Sequence, residues 1–234
     1  MFMHTGLLIA AITEAVAITP SVLFFGASQV VGRIPGGELH PFGTYTQTFL
    51  GNQIESTING VSGDTLGDPP VHSIVKNRRG FGIRLREATA ATNYSAIVIL
   101  GGSNDFKTEC MSQNTFYVDK FKQSVIALIE TAFSNSPRSL LLILIPFQGS
   151  LFRTGVCAAS YQKMRNVYLD VASEYEKTHP LLFVRDSNLL FKSELDDLYC
   201  DQVHLNRKGN AELGKGVGLL LDSSPFKQIL LIKH

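Results

Sequence analysis

Four short stretches of the chain carry side chains from which an acyl-transfer site can be built. Gly26-Ala27-Ser28 is a small-residue turn that projects a hydroxyl, and Ser62-Gly63-Asp64-Thr65 is a glycine turn. Gly102-Ser103-Asn104-Asp105 offers an amide, and Asp201-Gln202-Val203-His204 sets a carboxylate three residues before an imidazole. Acyl transfer needs a nucleophile, a base within hydrogen-bond reach, an orienter for that base, and donors for an oxyanion. Ser28 can be the nucleophile, because a hydroxyl is inert until a base takes its proton. His204 can be that base, since an imidazole can accept and return a proton near neutrality. Asp201 can hold the other ring nitrogen and stabilise the imidazolium. The backbone N–H groups of Ser28 and Gly63 and the side-chain amide of Asn104 are the candidate oxyanion donors, each typically worth about 3 kcal/mol in the transition state.

Each of these residues also has a plainer reading. A Gly-Ala-Ser after an apolar strand is commonly only a tight turn. Gly60 and Gly63 can serve positive φ, and Asn104 can cap the segment that follows it. Asp64 and Asp105 read as structural, tying down their loops through Asx-type hydrogen bonds. His204 has rivals in His4, His40, His72, His179 and His234, but none of these has an Asp three residues before it. His40 follows the nucleophile turn and can line a substrate site, although a solvated loop histidine is the simpler assignment. Gly209 to Lys215 spells GxxxxGK, yet Gly216 stands where a magnesium-binding Ser or Thr belongs and the segment reads as helix. Asn93-Tyr94-Ser95 fits a glycosylation acceptor but abuts a core strand.

Elements must bring the four stretches together. Val22 to Phe25, Ile54 to Ile58, Ala96 to Leu100, Leu140 to Ile145 and Leu181 to Val184 are short apolar runs that read as strands. The continuous aliphatic runs at 96–100 and 140–145 predict central strands buried on both faces. Between them, Phe116 to Phe133, Tyr161 to Tyr175 and Lys208 to Leu221 repeat apolar residues at three and four, as helices do. Right-handed crossovers then give an open, doubly wound α/β sheet. Three of the four stretches follow a strand and the last precedes the final helix, which is where such a sheet places a ligand. Arg33 to Gln47, Phe106 to Thr115 and Phe147 to Ser160 read as loops that cover the site.

With these residues in place the chain resembles the SGNH (GDSL-like) hydrolases. The family's GDS block corresponds to Gly26-Ala27-Ser28, its glycine block to Ser62-Gly63-Asp64-Thr65, its GxND block to Gly102-Ser103-Asn104-Asp105, and its DxxH block to Asp201 to His204. The blocks fall in the family's order and span Ser28 to His204, most of the chain. The resemblance implies a flavodoxin-like three-layer α/β/α sandwich on five parallel strands. It also implies ester or thioester hydrolysis without a metal or organic cofactor. Ala27 departs from the family's usual Asp, and Gln29 from its usual Leu. The missing Asp is a supporting neighbour of the nucleophile, so reduced or retuned activity is expected rather than none.

Composition narrows the partner. A length of 234 residues fits one domain, and 44% hydrophobic against 18% charged residues describes an ordinary globular chain. A net charge of +1 gives no footprint for nucleic acid, so a small ester, acyl or acetylated substrate is expected. With no Trp in the chain, a sugar platform would fall to Phe42, Tyr45, Phe106 and Phe152. No apolar run is long enough for a transmembrane span. Gly6 to Ile12 with Ala15-Val16-Ala17 resembles a signal segment, but lacks a basic start, so an ordered N-terminal element is the preferred reading. Cys110, Cys157 and Cys200 read as three unpaired thiols, with a Cys110–Cys157 bridge as the alternative. Compartment, acyl length and oligomeric state stay open. So do a carbohydrate O-acetylesterase, a non-catalytic binding module, and a phosphate-cofactor domain, which Arg33 as the only nearby cation disfavours.

Overall fold

The sheet follows from where the aliphatic runs lie. In a computed structural model that describes residues 19–34, 36–67, 80–112 and 118–231, with the side chains of 108–112 and 231 excepted, five strands pair. They are β1 (Ser21–Gly26), β2 (Glu55–Gly60), β3 (Ala96–Leu100), β4 (Leu140–Ile145) and β5 (Leu182–Asp186). Every pairing is parallel, in the order β2-β1-β3-β4-β5. β3 and β4 are buried at every residue, as continuous aliphatic runs between two helical layers must be. β2, Glu-Ser-Thr-Ile-Asn-Gly, is half exposed because it forms an edge.

Alternation along the strands divides the core in two. Leu23, Phe25, Ile97, Ile99, Leu141 and Ile143 face one layer, made of α3 (Gly80–Ala90), α4 (Ser103–Ser112), α5 (Val118–Asn135) and α6 (Gly155–Tyr175). Val22, Phe24, Ala96, Val98, Leu142 and Leu144 face the other, made of α1 (Ser28–Val31), α2 (Phe42–Phe49), α7 (Arg207–Asp222) and α8 (Phe226–Leu231). The result is the expected three-layer α/β/α sandwich. After β1 the chain moves outward to β2 and then returns to β3, so the order reverses between β1 and β3. A crevice opens at the carboxyl ends of strands at such a switch point.

Two of the expected cover loops are substantially helical. Arg33 to Gln47 runs into α2, and Phe106 to Thr115 lies mostly on α4, with 113–117 outside the described residues. In Phe147 to Ser160, a 3₁₀ turn at Ser150–Phe152 precedes the start of α6 at Gly155. The α2 sequence, Phe-Gly-Thr-Tyr-Thr-Gln-Thr-Phe, has poor intrinsic helix propensity, and packing decides instead. Phe42, Gly43 and Thr46 are buried, and Thr46 donates to the Gly214 carbonyl of α7 at 3.0 Å. Gly214 makes this approach possible, since a Cβ there would stand 2.5 Å from the Phe42 carbonyl oxygen and 2.6 Å from the Tyr45 Cβ. The Gly209 to Lys215 motif lies inside α7, as read from sequence.

The thiol expectation is corrected in part. Cys157 is disulfide-bonded and Cys200 is free, while the side chain of Cys110 lies outside the described ones. Residues 1–18, and with them the signal-like segment, are likewise outside the described residues. Among the described residues no helix is long and apolar enough to cross a membrane.

Candidate active site

β1 delivers Ser28 to the switch point. The strand ends at Gly26, whose missing side chain is required: a Cβ there would lie 2.1 Å from the Leu100 carbonyl oxygen of β3. Ala27 is still extended, its carbonyl accepts from the Val30 N–H at 3.1 Å, and Ser28 becomes the first residue of the four-residue α1. Ser28 is 8% exposed, so its hydroxyl needs a partner. The partner is His204, whose Nε2 lies 2.9 Å from Ser28 Oγ.

His204 is set by a folded turn of its own. Tyr199 and Leu205 form an antiparallel bridge, and the Cys200 N–H donates to the His204 carbonyl at 3.0 Å. Asn206 then caps α7, accepting from the Gly209 N–H at 2.9 Å, while its amide donates to the Asp197 carbonyl at 2.8 Å. Inside this turn Asp201 Oδ1 accepts from the N–H groups of Val203 at 2.7 Å and His204 at 2.6 Å. Asp201 Oδ2 lies 2.7 Å from His204 Nδ1. Burial acts to raise the Asp201 pKa, but hydrogen bonds from the His204 ring and from the His204 and Val203 N–H groups outweigh it. Its carboxyl therefore sits below the usual range. An ionised carboxylate only accepts, so Nδ1 carries the proton and the Nε2 lone pair faces the Ser28 hydroxyl. The Asp201 side chain is 45% exposed, so its hold on the turn and the ring rests on three hydrogen bonds, one of them to the ring, rather than on a desolvated charge.

The glycine and amide blocks meet at the Asp64 carbonyl. Gly63 has a φ of +80° in a turn closed by the Asp64 N–H on the Val61 carbonyl at 3.2 Å. Asn104, at the start of α4, donates from Nδ2 to the Asp64 carbonyl at 2.8 Å, which fixes the amide block to the glycine block. Asp64 and Asp105 are structural as expected, but their bonds join loops instead of closing them. Both Asp105 oxygens accept from the Leu66 N–H, at 3.1 and 3.2 Å. Burial pushes the Asp105 carboxyl up to about 7, against the backbone N–H groups of Leu66, Asp105 and Gly67, which act to lower it. Asp64 pairs with the Arg84 guanidinium.

Three residues around these blocks have surroundings that the sequence does not display. Arg84, on a helix that the apolar spacing did not reveal, is buried under the β1 turn. Gln29, noted only as a departure from Leu, accepts on Oε1 from the Ser103 hydroxyl at 2.9 Å, and both residues are buried. That bond ties the residue after the nucleophile to the residue before Asn104. An amide in place of the family's Leu directly after Ser28 was the one available signal for it. Ala27 is buried within the apolar cluster that holds Phe25, Leu66 and Phe81.

The aromatic platform is not formed. Phe42, Phe106 and Phe152 have no exposed surface: Phe42 packs edge-on against Phe24, Phe106 edge-on against Tyr161, and Phe152 tilted against Phe106 and stacked on Tyr161. Tyr45 is half-buried, with its hydroxyl 3.2 Å from His40 Nδ1. His40 turns its other ring nitrogen to Glu38 at 3.1 Å, so its described partners lie in its own loop and on α2.

No protein-family model matches the chain, and no curated protein sequence does either. Solved structures do. A carbohydrate acetylesterase from Sinorhizobium meliloti matches with a TM-score of 0.65 at 18% identity, over 86% of this chain and 98% of that one. The native aryl esterase of M. smegmatis gives 0.67 at 17% identity, over 86% and 98%. A protein of the lipolytic G-D-S-L family from Desulfitobacterium hafniense gives 0.61 at 18% identity, over 86% and 99%. The fold of this chain is the α/β sandwich of these esterases.

Proposed function

We propose that this chain is a serine-dependent carboxylic ester hydrolase of the SGNH (GDSL-like) type, acting through an acyl-enzyme on Ser28. One observation carries the reading: Ser28, His204 and Asp201, drawn from the two ends of the chain, stand in a relay of 2.9 and 2.7 Å at the switch point of the sheet. In that relay His204 Nε2 takes the proton of Ser28 as Oγ attacks the ester carbonyl. Asp201 steadies the imidazolium that forms. The N–H groups of Ser28 and Gly63 and the amide of Asn104 are the proposed donors to the oxyanion. His204 then protonates the leaving alcohol, and a water molecule, deprotonated by the same nitrogen, releases the acid. The chemistry runs on the chain's own side chains. Similarity in fold to an aryl esterase and a carbohydrate acetylesterase agrees with this reading, and both substrate classes fall within it.

Turnover of p-nitrophenyl acetate, butyrate and octanoate by the wild type and by Ser28→Ala tests the proposal. Expected is hydrolysis that Ser28→Ala removes, with the ranking of the three esters reporting the length of the acyl pocket. Equal turnover by the two proteins would refute it. Folded wild type inert towards all three and unlabelled by a fluorophosphonate would favour a binding module instead.

A further inference from the structure

We infer that Arg84 is a positioning residue that locks the nucleophile turn to the glycine and amide blocks, an assignment that rests on the proposed ester hydrolysis. Arg84 sits on α3, far in sequence from Ser28 and His204, and its guanidinium is inserted under the β1 turn. Nη1 donates to the Gly26 carbonyl at 3.2 Å, two residues before Ser28, and pairs with Asp64. Nη2 donates to the Asn59 carbonyl at 3.0 Å and to Asn59 Oδ1 at 2.6 Å, at the end of β2. The guanidinium carbon also lies 4.7 Å from the centroid of the Phe25 ring. One planar group thus joins the ends of β1 and β2 to the glycine block. The link reaches the amide block as well, because the carbonyl of Asp64 receives the Asn104 amide.

Only arginine can make this set of bonds. Its fork presents several fixed donors in one plane, whereas a lysine is a single point charge on a flexible stem. The arrangement is also costly to interrupt. The Asp64 side chain is fully buried, and its Oδ1 has no hydrogen-bond partner among the described residues, so Arg84 supplies its compensating charge. A buried ion pair that joins the flanks of a nucleophile does more for geometry than for net stability, since neutral replacements of both partners are often tolerated. Displacing the donors around a reacting carbonyl by about 1 Å is enough to cost roughly 100-fold in rate.

Stability and geometry separate in a set of four variants assayed on p-nitrophenyl acetate beside the wild type: Ser28→Ala, Arg84→Lys, Arg84→Met and Asp64→Asn/Arg84→Met. Arg84→Met strands Asp64, and a Tm fall of roughly 10 °C is expected with it. The double variant removes both charges and should recover most of that Tm, yet keep a kcat roughly 10- to 100-fold below wild type with KM little changed. Arg84→Lys keeps the charge and most of the Tm, and should show a similar kcat loss. If the double variant regains wild-type kcat together with its Tm, or if Arg84→Lys turns over at the wild-type rate, Arg84 is structural only and the inference falls. These outcomes stand even where Arg84→Met fails to fold. Ser28→Ala separates the two ideas. Turnover unchanged in that variant overturns the ester-hydrolase reading itself, and the positioning role with it, whereas its inactivity confines any failure to Arg84.

Discussion

At the scale of single residues, the proposed catalysis turns on which nitrogen of His204 carries the proton. Asp201 holds Nδ1 and two backbone N–H groups at once, so its two oxygens fix both the turn and the tautomer. Asp201→Asn preserves the shape but changes the sign of one contact. Its carbonyl oxygen can still accept the two backbone N–H groups, which turns the amide NH₂ towards Nδ1. The ring then carries its proton on Nε2 and cannot take one from Ser28. A loss of about 10⁴-fold in kcat is expected, with Tm little altered. Near-normal kcat in this variant would mean that Asp201 does not orient the base. Gln29 offers a second test. Replacing it by Leu removes the acceptor of the buried Ser103 hydroxyl, and a destabilisation of about 1–3 kcal/mol is expected by denaturant titration. Gln29→Leu with Ser103→Ala removes both ends of the bond and should restore part of the loss. Ala27, by contrast, lies in an apolar cluster, and the loops around it are held by the Arg84–Asp64 pair and the Gln29–Ser103 bond.

At the scale of elements, the site is as good as the packing of three junctions: β1 against β3 at Gly26, α2 against α7 at Gly214, and the turn that leads into α7. Gly214→Ala sets a methyl group against the Phe42 carbonyl and the Tyr45 Cβ. A destabilisation of about 1–3 kcal/mol is expected, read as a Tm drop of a few degrees. An unchanged Tm would show that α2 can slide off α7 without cost. These junctions also mark what the sequence does and does not display. β3 and β4 could be read to the residue because a strand buried on both faces tolerates only aliphatic side chains. The helix over Arg207–Asp222 was legible within a residue at each end, because its apolar repeat runs its whole length. α2 was not legible, because a Thr-rich helix of eight residues exists only through its contact with α7. α1 was hidden for a different reason: four residues are too few for any period to register.

At the scale of the whole molecule, the four blocks were legible because each is short, local and placed beside a strand or helix end. The network beneath them was not, because the Arg84 contacts cross the chain and a charged residue on a helix ordinarily signals solvent. The aromatic residues failed as a platform for the same reason in reverse, since a phenylalanine looks alike in sequence whether it faces a ligand or the core. Asp105 extends this hidden network into a global property. Its carboxyl is protonated up to about pH 7 in the folded protein, against 3.8 ordinarily. Below both values each state holds the proton. As pH rises between them, the unfolded chain releases its proton and the folded chain keeps it, so this group's contribution to stability falls until about pH 7 and then levels. Asp105→Asn can still accept from the Leu66 N–H but does not titrate. The Tm of the variant relative to wild type is therefore expected to rise between pH 5 and pH 8, and a constant difference would contradict the assignment.

Everything proposed for the site depends on Ser28 being a nucleophile activated by His204. The most direct measurement is reaction of the folded protein with a fluorophosphonate, followed by peptide mass spectrometry to locate the adduct. A single phosphonyl group on Ser28 is expected, formed slowly or not at all in His204→Ala. An unlabelled Ser28 in folded protein, or label placed on another residue and retained in Ser28→Ala, would contradict it.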